Sequence, residues 1–350
     1  MKKILVLGGG RIGRIVFHIL KEKKYEVKIL DKMPLVEYNK DFTAIDIFDE
    51  QKVDNFIRFF TPDAIVNCLP FYASKKPAEY AVKHRTHYFD VTEDVETGRF
   101  IRELARSTDK ALVPHCGLAP GIVSIIGANL IKDFDSINDV RVKCGVLPIY
   151  STNSLRYAIT WSVDGLVNQY CNKCLVVDNY HIKEVEALGD TENFIFDGIE
   201  YESFNTSGGI GTLAESFAEK VCQMSYQTIR YPGHRNLVYF LMNELGGANH
   251  REFLVNLFQS ALPVTRDDVT IINITVNGSM NGQVIEKSYT KKFYSQQISS
   301  IQATSLEATT AGSLCAVISE VLTNPEKYKG FIKQENFDLN VIRKHTTVNF

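Results

Sequence analysis

The feature that most constrains this chain is the glycine-rich turn within its first 31 residues. Residues 4–7 form an uninterrupted apolar run, and the sequence Gly-Gly-Gly-Arg-Ile-Gly follows at once at residues 8–13. Apolar side chains then recur at the three- and four-residue spacing of one helical face over residues 12–20. A strand buried on both faces, a tight turn and a helix open a parallel α/β unit.

Each residue of the turn has a predicted role in binding a dinucleotide. Gly8 permits the tight turn, Gly10 lets a pyrophosphate approach the backbone, and Gly13 lets the helix pack closely on the strand. Arg11 and Ile12 lie at the helix start, where free N–H groups face the phosphates. The turn therefore predicts a dinucleotide-binding site.

An acid ends the second predicted strand at Asp31, where it is expected to accept hydrogen bonds from the adenosine ribose. Its charge would repel a 2′-phosphate, which favours NAD, although Lys32 beside it leaves NADP open. Asp46, at the end of the third strand, has two alternative interpretations. It contacts the adenine end of the cofactor, or it is the N-cap of the next helix.

Strands and helices continue to alternate after Asp31, which is typical of a doubly wound parallel sheet of the Rossmann type. The predicted strands are residues 42–45, 64–69, 87–91 and 111–113, and the predicted helices include residues 53–60, 76–84 and 96–106.

Ligands of such sheets bind beyond the carboxyl ends of the strands. From this rule we assign further cofactor contacts at the fourth strand end and in the segment after the sixth strand, namely Asn67, Leu69, Pro70, Gly117 and Pro120. Pro120 suits the first turn of a helix, whose N–H groups would face the cofactor. The alternative is a helix start packed under a domain boundary.

Composition excludes several classes of protein. The 350 residues carry 39 Lys and Arg against 41 Asp and Glu, and 45% of them are hydrophobic, so we expect no nucleic-acid partner. No stretch has the apolar length of a membrane span, and we expect a cytoplasmic protein without membrane contact. Seven scattered cysteines fit reduced thiols, and the isolated Cys171/Cys174 pair predicts no metal site.

The sequence pattern changes beyond Asp135. Apolar and polar residues alternate at residues 140–146, 269–276 and 284–294, which predicts antiparallel strands. We expect a dinucleotide-binding domain over residues 1–134 and a second α/β domain over residues 135–297, with a mixed or antiparallel open sheet. Residues 298–350, apolar and helical, are expected to return to the first domain.

The second domain holds the densest polar and aromatic segments, from which we predict the substrate contacts Tyr157, Trp161, Ser207, Arg230 and His234. Arg230 is the predicted carboxylate ligand, because a guanidinium is always charged and holds a carboxylate through two parallel bonds. A salt bridge between domains is the alternative.

Five segments, taken together and in order, resemble the saccharopine dehydrogenase family, with lysine 6-dehydrogenase as the branch most similar. They are residues 117–121, 144–148, Trp161-Ser162 with Gly165, residues 206–209 and residues 228–234. The resemblance implies a Rossmann domain, a second domain with an open sheet, and a homodimer formed through that second domain. It also implies oxidation of a carbon–nitrogen bond of an amino acid by a nicotinamide cofactor, or the reverse reduction.

The resemblance has departures. Saccharopine reductases carry an Asp where this chain has Ala119, which is similar to lysine 6-dehydrogenases, whereas Cys144 is closer to the reductases. For lysine oxidation the ε-amine, with an ordinary pKa of about 10.4, must lose its proton. The candidates for proton transfer are Asp90, His115 and Cys144, and each has a structural role as its alternative.

Two other functions remain open from the sequence. The first is a saccharopine-type reductase that joins an amine and a 2-oxo acid, for which Arg156 and Arg235 are extra cations. The second is a protein that binds NAD without catalysis, as a sensor or assembly partner.

Overall fold

The computed structural model describes residues 1–34 and 40–350. The chain forms two compact units. The first comprises Met1–Ile122, Gln297–Ala303 and Glu307–Phe350, and the second comprises Val123–Gln296 and Thr304–Leu306.

The first unit is built on a seven-stranded sheet that is parallel throughout. Its strands are β1 (Lys3–Leu7), β2 (Glu26–Asp31), β3 (Phe42–Ala44), β4 (Ala64–Asn67), β5 (His87–Asp90), β6 (Ala111–Val113) and, near the end of the chain, β17 (Gly330–Phe331). They lie in the order β17-β6-β5-β4-β1-β2-β3. This order confirms the predicted Rossmann-type sheet, to which β17 adds an edge strand that the sequence analysis did not predict.

Helices connect these strands, as the alternation predicts: α1 (Arg11–Glu22), α2 (Glu50–Phe60), α3 (Lys75–Lys83) and α4 (Val95–Leu104). Leu5 and Leu7 of β1 are fully buried in one core with Val53 and Ile57 of α2. Apolar faces on both strand and helix therefore fix the layers of this unit.

The second unit is built on a mixed sheet. Its strands are β7 (Ser136–Pro148), β8 (Cys174–Asp178), β9 (His181–Val185), β10 (Glu192–Phe196), β11 (Ile199–Asn205), β12 (Val221–Arg230), β13 (Asp268–Met280) and β14 (Gln283–Tyr294). The main path of the sheet is β10-β11-β12-β7-β13-β14. Only β12 and β7 pair in parallel among the described strands of this sheet, so the predicted mixed sheet is confirmed.

The helices of the second unit are α5 (Ile122–Ile131), α6 (Val163–Cys171), α7 (Leu213–Phe217), α8 (His234–Tyr239) and α9 (Arg251–Ala261). The strands β15 (Gln296–Ile298) and β16 (Ile301–Ala303) pair with each other, and the helices α10 (Ser305–Thr323) and α11 (Leu339–Lys344) follow. Within residues 1–34 and 40–350, no helix is long and apolar enough to cross a membrane.

Two local expectations differ from the structure. Pro120 does not lie in the first turn of a helix, because α5 begins at Ile122; Gly117 and Gly121 instead form an isolated bridge, and Ile122 N donates to Gly117 O. The helix α5 groups with the second unit, whereas the sequence analysis ended the first domain at residue 134. A Cβ on Gly127 would lie 3.3 Å from Leu213 Cδ2, so α5 packs close to α7.

The parallel pair β7 and β12 leaves no room for a side chain at Gly145. A Cβ there would lie 2.4 Å from Ile229 O. We predict that Gly145→Ala destabilises the second unit by about 1–3 kcal/mol, because one of the two central strands must shift. Urea unfolding followed by the fluorescence of Trp161, the single tryptophan of the chain, measures this.

Gly189→Ala is the matched control, because a Cβ at Gly189 would meet its nearest neighbour at an ordinary 3.4 Å. We expect its unfolding midpoint to stay close to that of the parent protein. Equal midpoints for both variants would contradict the close packing of β7 on β12.

Candidate functional site

The glycine turn of the first unit forms an open cradle. Gly8 has a φ of +99°, and a Cβ on Gly13 would lie 1.9 Å from Gly8 O, so neither position tolerates a side chain. Gly10, the N-cap of α1, has nothing within 4 Å of an added Cβ and makes no side-chain cap. The N–H groups at the start of α1, those of Arg11 and Ile12 included, are therefore placed to bind an anion such as a pyrophosphate.

Two charged side chains flank this cradle. Asp31 accepts hydrogen bonds from Gly9 N at 2.7 Å and from Met33 N at 2.9 Å, and a carboxylate keeps further lone pairs for ribose hydroxyls. Arg11 Nε donates to Glu307 Oε1 at 2.8 Å, while its Nη2 is buried without a partner among the described residues. The residues present therefore fit the predicted dinucleotide.

The fourth strand end shapes the same turn. Asn67 is buried, its Nδ2 donates to Ser74 Oγ at 2.9 Å, and its Oδ1 accepts from Leu69 N at 3.1 Å. Leu69 packs beside Gly8, and Pro70 is exposed. Asn67 thus orders the loop through contacts within the protein. The predicted cofactor contacts that remain at this strand end are Leu69 and Pro70.

Asp46 is not a helix N-cap. Its Oδ1 accepts from Phe48 N at 2.9 Å within its own turn, and the N-cap of α2 is Asp49, which accepts from Lys52 N. The N-cap interpretation of Asp46 is therefore wrong, and its contact with the adenine end of a cofactor stays a prediction.

Asp90 and His115 lie together at the carboxyl ends of β5 and β6. Asp90 is fully buried and accepts from Tyr88 OH at 2.8 Å and from the backbone N–H groups of Thr92 and His115, each at 3.0 Å. His115 Nδ1 lies 2.7 Å from Thr92 O, and a Cβ on Gly98 would lie 2.7 Å from its Nε2. Burial raises the pKa of Asp90, a rise that His115 and these donors oppose. Both side chains thus hold the loop after β5.

That loop also carries Glu93, which the sequence analysis did not select. Its side chain is half-buried, and burial raises its pKa to about 7, with Asp94 and Asp90 adding to the rise. A carboxyl group that is desolvated yet reaches solvent has the properties of a general base near neutral pH. Glu93 lies three residues after the end of β5, and ligands of such sheets bind beyond the carboxyl ends of the strands, so this position was the signal in the sequence that could have identified it.

In the second unit, Cys144 and Arg230 lie on one face of the sheet. Cys144 of β7 pairs with Thr228 of β12, and Arg230 follows Thr228 by two residues, which returns it to the same face. Thr228 Oγ1 lies 2.8 Å from Thr206 Oγ1. Burial raises the pKa of Cys144 to about 12, offset in part by Arg230. The thiol therefore stays protonated at neutral pH, which excludes it as a proton acceptor there, and a pKa so far above neutrality also makes it a weak acid.

Arg230 is a buried cation held by neutral groups. It is 4% exposed, its Nε donates to Tyr170 OH at 3.1 Å, its Nη1 donates to Ile229 O at 2.9 Å, and its guanidinium lies 5.1 Å from the Tyr157 ring centroid. Among the described residues of the second unit, no carboxylate pairs with it, and the alternative of a salt bridge between domains stays a prediction. An uncompensated buried guanidinium is a binding site for an anion.

The other predicted substrate contacts surround this cation. Trp161 Nε1 donates to Tyr157 OH at 3.2 Å, and Asn153 Nδ2 donates to Tyr157 O at 2.7 Å. His234 Nε2 lies 3.0 Å from Tyr170 OH. Ser207 N donates to Gln169 O at 3.0 Å, at the end of α6 next to Tyr170. The structure thus brings Cys144, Tyr157, Arg230 and His234 together.

Tyr170 was not predicted from the sequence, because a tyrosine in an apolar helix resembles a core residue.

Comparison with known proteins identifies both parts of the chain. Residues 4–113 match the saccharopine dehydrogenase NADP binding domain, and residues 117–345 match the saccharopine dehydrogenase C-terminal domain. The first match, together with the open glycine cradle, assigns the chain an NAD(P) cofactor.

Solved structures share the fold at low sequence identity. The apo saccharopine dehydrogenase (L-Glu forming) from Saccharomyces cerevisiae matches with a TM-score of 0.76 and 13% identity, over 98% of this chain and 96% of that one. The homospermidine synthase from Legionella pneumophila, solved with NAD, matches at 0.67 and 12%, over 98% and 88%. An engineered D-amino acid dehydrogenase bound to NADP+ matches at 0.53 and 11%, over 100% and 97%. With family domains over most of its length, the chain belongs to the saccharopine dehydrogenase family.

Proposed function

We propose that this protein is an NAD-dependent dehydrogenase that oxidises the side-chain amine of an amino acid, with L-lysine as the substrate. The observation that carries the proposal is the buried guanidinium of Arg230, which has no carboxylate partner among the described residues. A substrate with an α-carboxylate supplies the missing negative charge. Asp31 at the end of β2 supports NAD over NADP, because it would repel a 2′-phosphate.

The reaction removes one proton and one hydride from the substrate. Lysine binds as an ammonium ion whose ε-nitrogen must lose a proton, and Glu93, with its pKa raised to about 7, has the properties that a proton acceptor needs. A nicotinamide cofactor held at the glycine turn would accept the hydride of the ε-carbon, and a protonated imine would remain. Water adds to the imine carbon and ammonia leaves, which gives the aldehyde.

A saccharopine-type imine reductase is the second candidate, and Arg156 favours it. Arg156 is exposed, and its guanidinium lies 4.6 Å from the Tyr231 ring centroid. Its charge remains available for a second carboxylate, as in a product that joins lysine to a 2-oxo acid. Arg235 offers less, because its Nε donates to Leu188 O at 2.7 Å.

The proposal is tested by the absorbance of reduced cofactor. We expect purified protein with NAD and L-lysine at alkaline pH to form NADH, faster than NADPH forms from NADP. NADH consumption only when lysine and 2-oxoglutarate are present together would favour the second candidate. Nucleotide binding without turnover of any amine or imine would leave a non-catalytic binder as the function.

Glu93→Gln tests the proton acceptor. We expect kcat/KM for lysine to fall roughly 10²- to 10⁴-fold, and the rise of activity with pH that is centred near 7 in the parent protein to disappear. The sign follows because only the ionised carboxylate, which predominates above its pKa, accepts a proton.

Glu96→Gln is the matched control, since Glu96 is an exposed acid in the first turn of α4. Its pH profile should equal that of the parent protein. A Glu93→Gln profile that keeps the same rise would remove Glu93 from proton transfer.

A further inference from the structure

Tyr170 and His234 form a buried hydrogen-bonded pair beside Arg230. His234 is 2% exposed, its Nδ1 lies 2.8 Å from Leu155 O, and its Nε2 lies 3.0 Å from Tyr170 OH. Tyr170 OH in turn lies 3.1 Å from Arg230 Nε. The four groups thus form one hydrogen-bond series from the guanidinium to a backbone carbonyl, and all of them lie within the second unit.

The two end groups of this hydrogen-bond series determine which partner donates and which accepts in each of its bonds. Leu155 O only accepts, so His234 Nδ1 carries a hydrogen, and Arg230 Nε only donates, so the Tyr170 oxygen accepts from it. Burial, with the charge of Arg230, lowers the pKa of His234 to about 3, so the ring is neutral and its Nε2 accepts from Tyr170 O–H. Burial raises the pKa of Tyr170 to about 12, which keeps the phenol neutral.

A neutral acceptor on Nε has a specific consequence for Arg230. Tyr170 and Ile229 O occupy Nε and one hydrogen of Nη1, and the Tyr157 ring lies near the guanidinium. None of these groups carries a negative charge. No hydrogen bond engages Nη2 among the described residues, so the guanidinium keeps donors that a carboxylate can bind.

We propose that Tyr170 and His234 are a positioning pair, which holds the guanidinium of Arg230 toward the substrate carboxylate without neutralising it. The role of His234 is therefore to orient Arg230 through Tyr170, rather than to contact substrate as the sequence analysis predicts. This inference rests on the proposed function, because it assumes that the anion bound by Arg230 is the carboxylate of the substrate.

The ring packing of His234 agrees with a fixed orientation. Its ring stacks on Phe204 at a centroid distance of 6.3 Å with an interplanar angle of 10°, and it lies 5.4 Å from the Tyr157 ring. Phe204 belongs to β11 and pairs with Thr228 of β12, so the stack is anchored to the sheet that carries Arg230.

The test removes one hydrogen-bonding group of this series at a time. Tyr170→Phe deletes the hydroxyl and keeps the ring, whereas Tyr294→Phe, at an exposed tyrosine of the same unit, is the control. His234→Gln keeps an acceptor where Nε2 lies, and His234→Leu keeps the bulk without it. Thermal unfolding of each variant shows that it folds.

Two readouts separate positioning from a merely structural role. The first is the KM for lysine, which we expect to rise about tenfold in Tyr170→Phe and His234→Leu, with kcat and the KM for NAD unchanged and with His234→Gln close to the parent protein. The second is the Kd of L-norleucine by calorimetry, which reports carboxylate binding without turnover and should rise in parallel.

A crystal structure of Tyr170→Phe completes the test. We expect the guanidinium to leave its place over the Tyr157 ring. An unmoved guanidinium with an unchanged norleucine Kd would overturn the positioning role, and so would a parent protein that does not bind norleucine. A parent protein that binds norleucine, loses that binding in Tyr170→Phe and oxidises no amine would support the pair and overturn the proposed function.

Discussion

The candidate site of the second unit depends on one buried charge, the guanidinium of Arg230. Transfer of an ion from water to a protein interior costs several kcal/mol, and proteins usually offset that cost with a charge of opposite sign. Here the offset comes only from a phenol, a backbone carbonyl and an aromatic face among the described residues. Such an arrangement leaves the second unit less stable than a paired one would be, and it leaves an anion site ready for a ligand.

The first unit leaves groups unpaired in a similar way, at the start of α1. Gly10 makes no side-chain cap, its surroundings are open, and the buried Nη2 of Arg11 has no partner among the described residues. Each unit therefore presents unpaired donors of positive character, which suit the phosphates of a dinucleotide in one case and a carboxylate in the other. The proposed function assigns the cofactor to the first set of donors and the substrate carboxylate to the second.

Local chemistry made much of the first unit predictable from sequence. The apolar run of β1, the glycines at positions 8, 10 and 13 and the acid at position 31 each act through their immediate neighbours. Three strands of the second unit, β7, β13 and β14, followed from alternation, whereas β8 to β12 were not predicted. The choice of Arg230 followed from the chemistry of its side chain. These features depend little on distant parts of the chain.

The remainder depends on contacts that no local pattern encodes. The strand β17 has two residues and forms only because β6 offers it an edge. Tyr170 gains its role from Arg230 and His234, both more than fifty residues away. Glu93 differs from an ordinary surface acid only through its burial. Asp90 and His115 looked catalytic by residue type, and the structure shows them hydrogen-bonded within the loop after β5.

The role of Arg230 is measured by comparing L-lysine with cadaverine, which is lysine without its carboxylate, as substrates of the parent protein and of Arg230→Gln. If Arg230 binds the carboxylate, the parent protein should prefer lysine in kcat/KM by about a hundredfold or more. That preference should nearly vanish in the variant, while its kcat/KM for cadaverine stays close to that of the parent protein. An equal preference for lysine in both proteins would contradict the account.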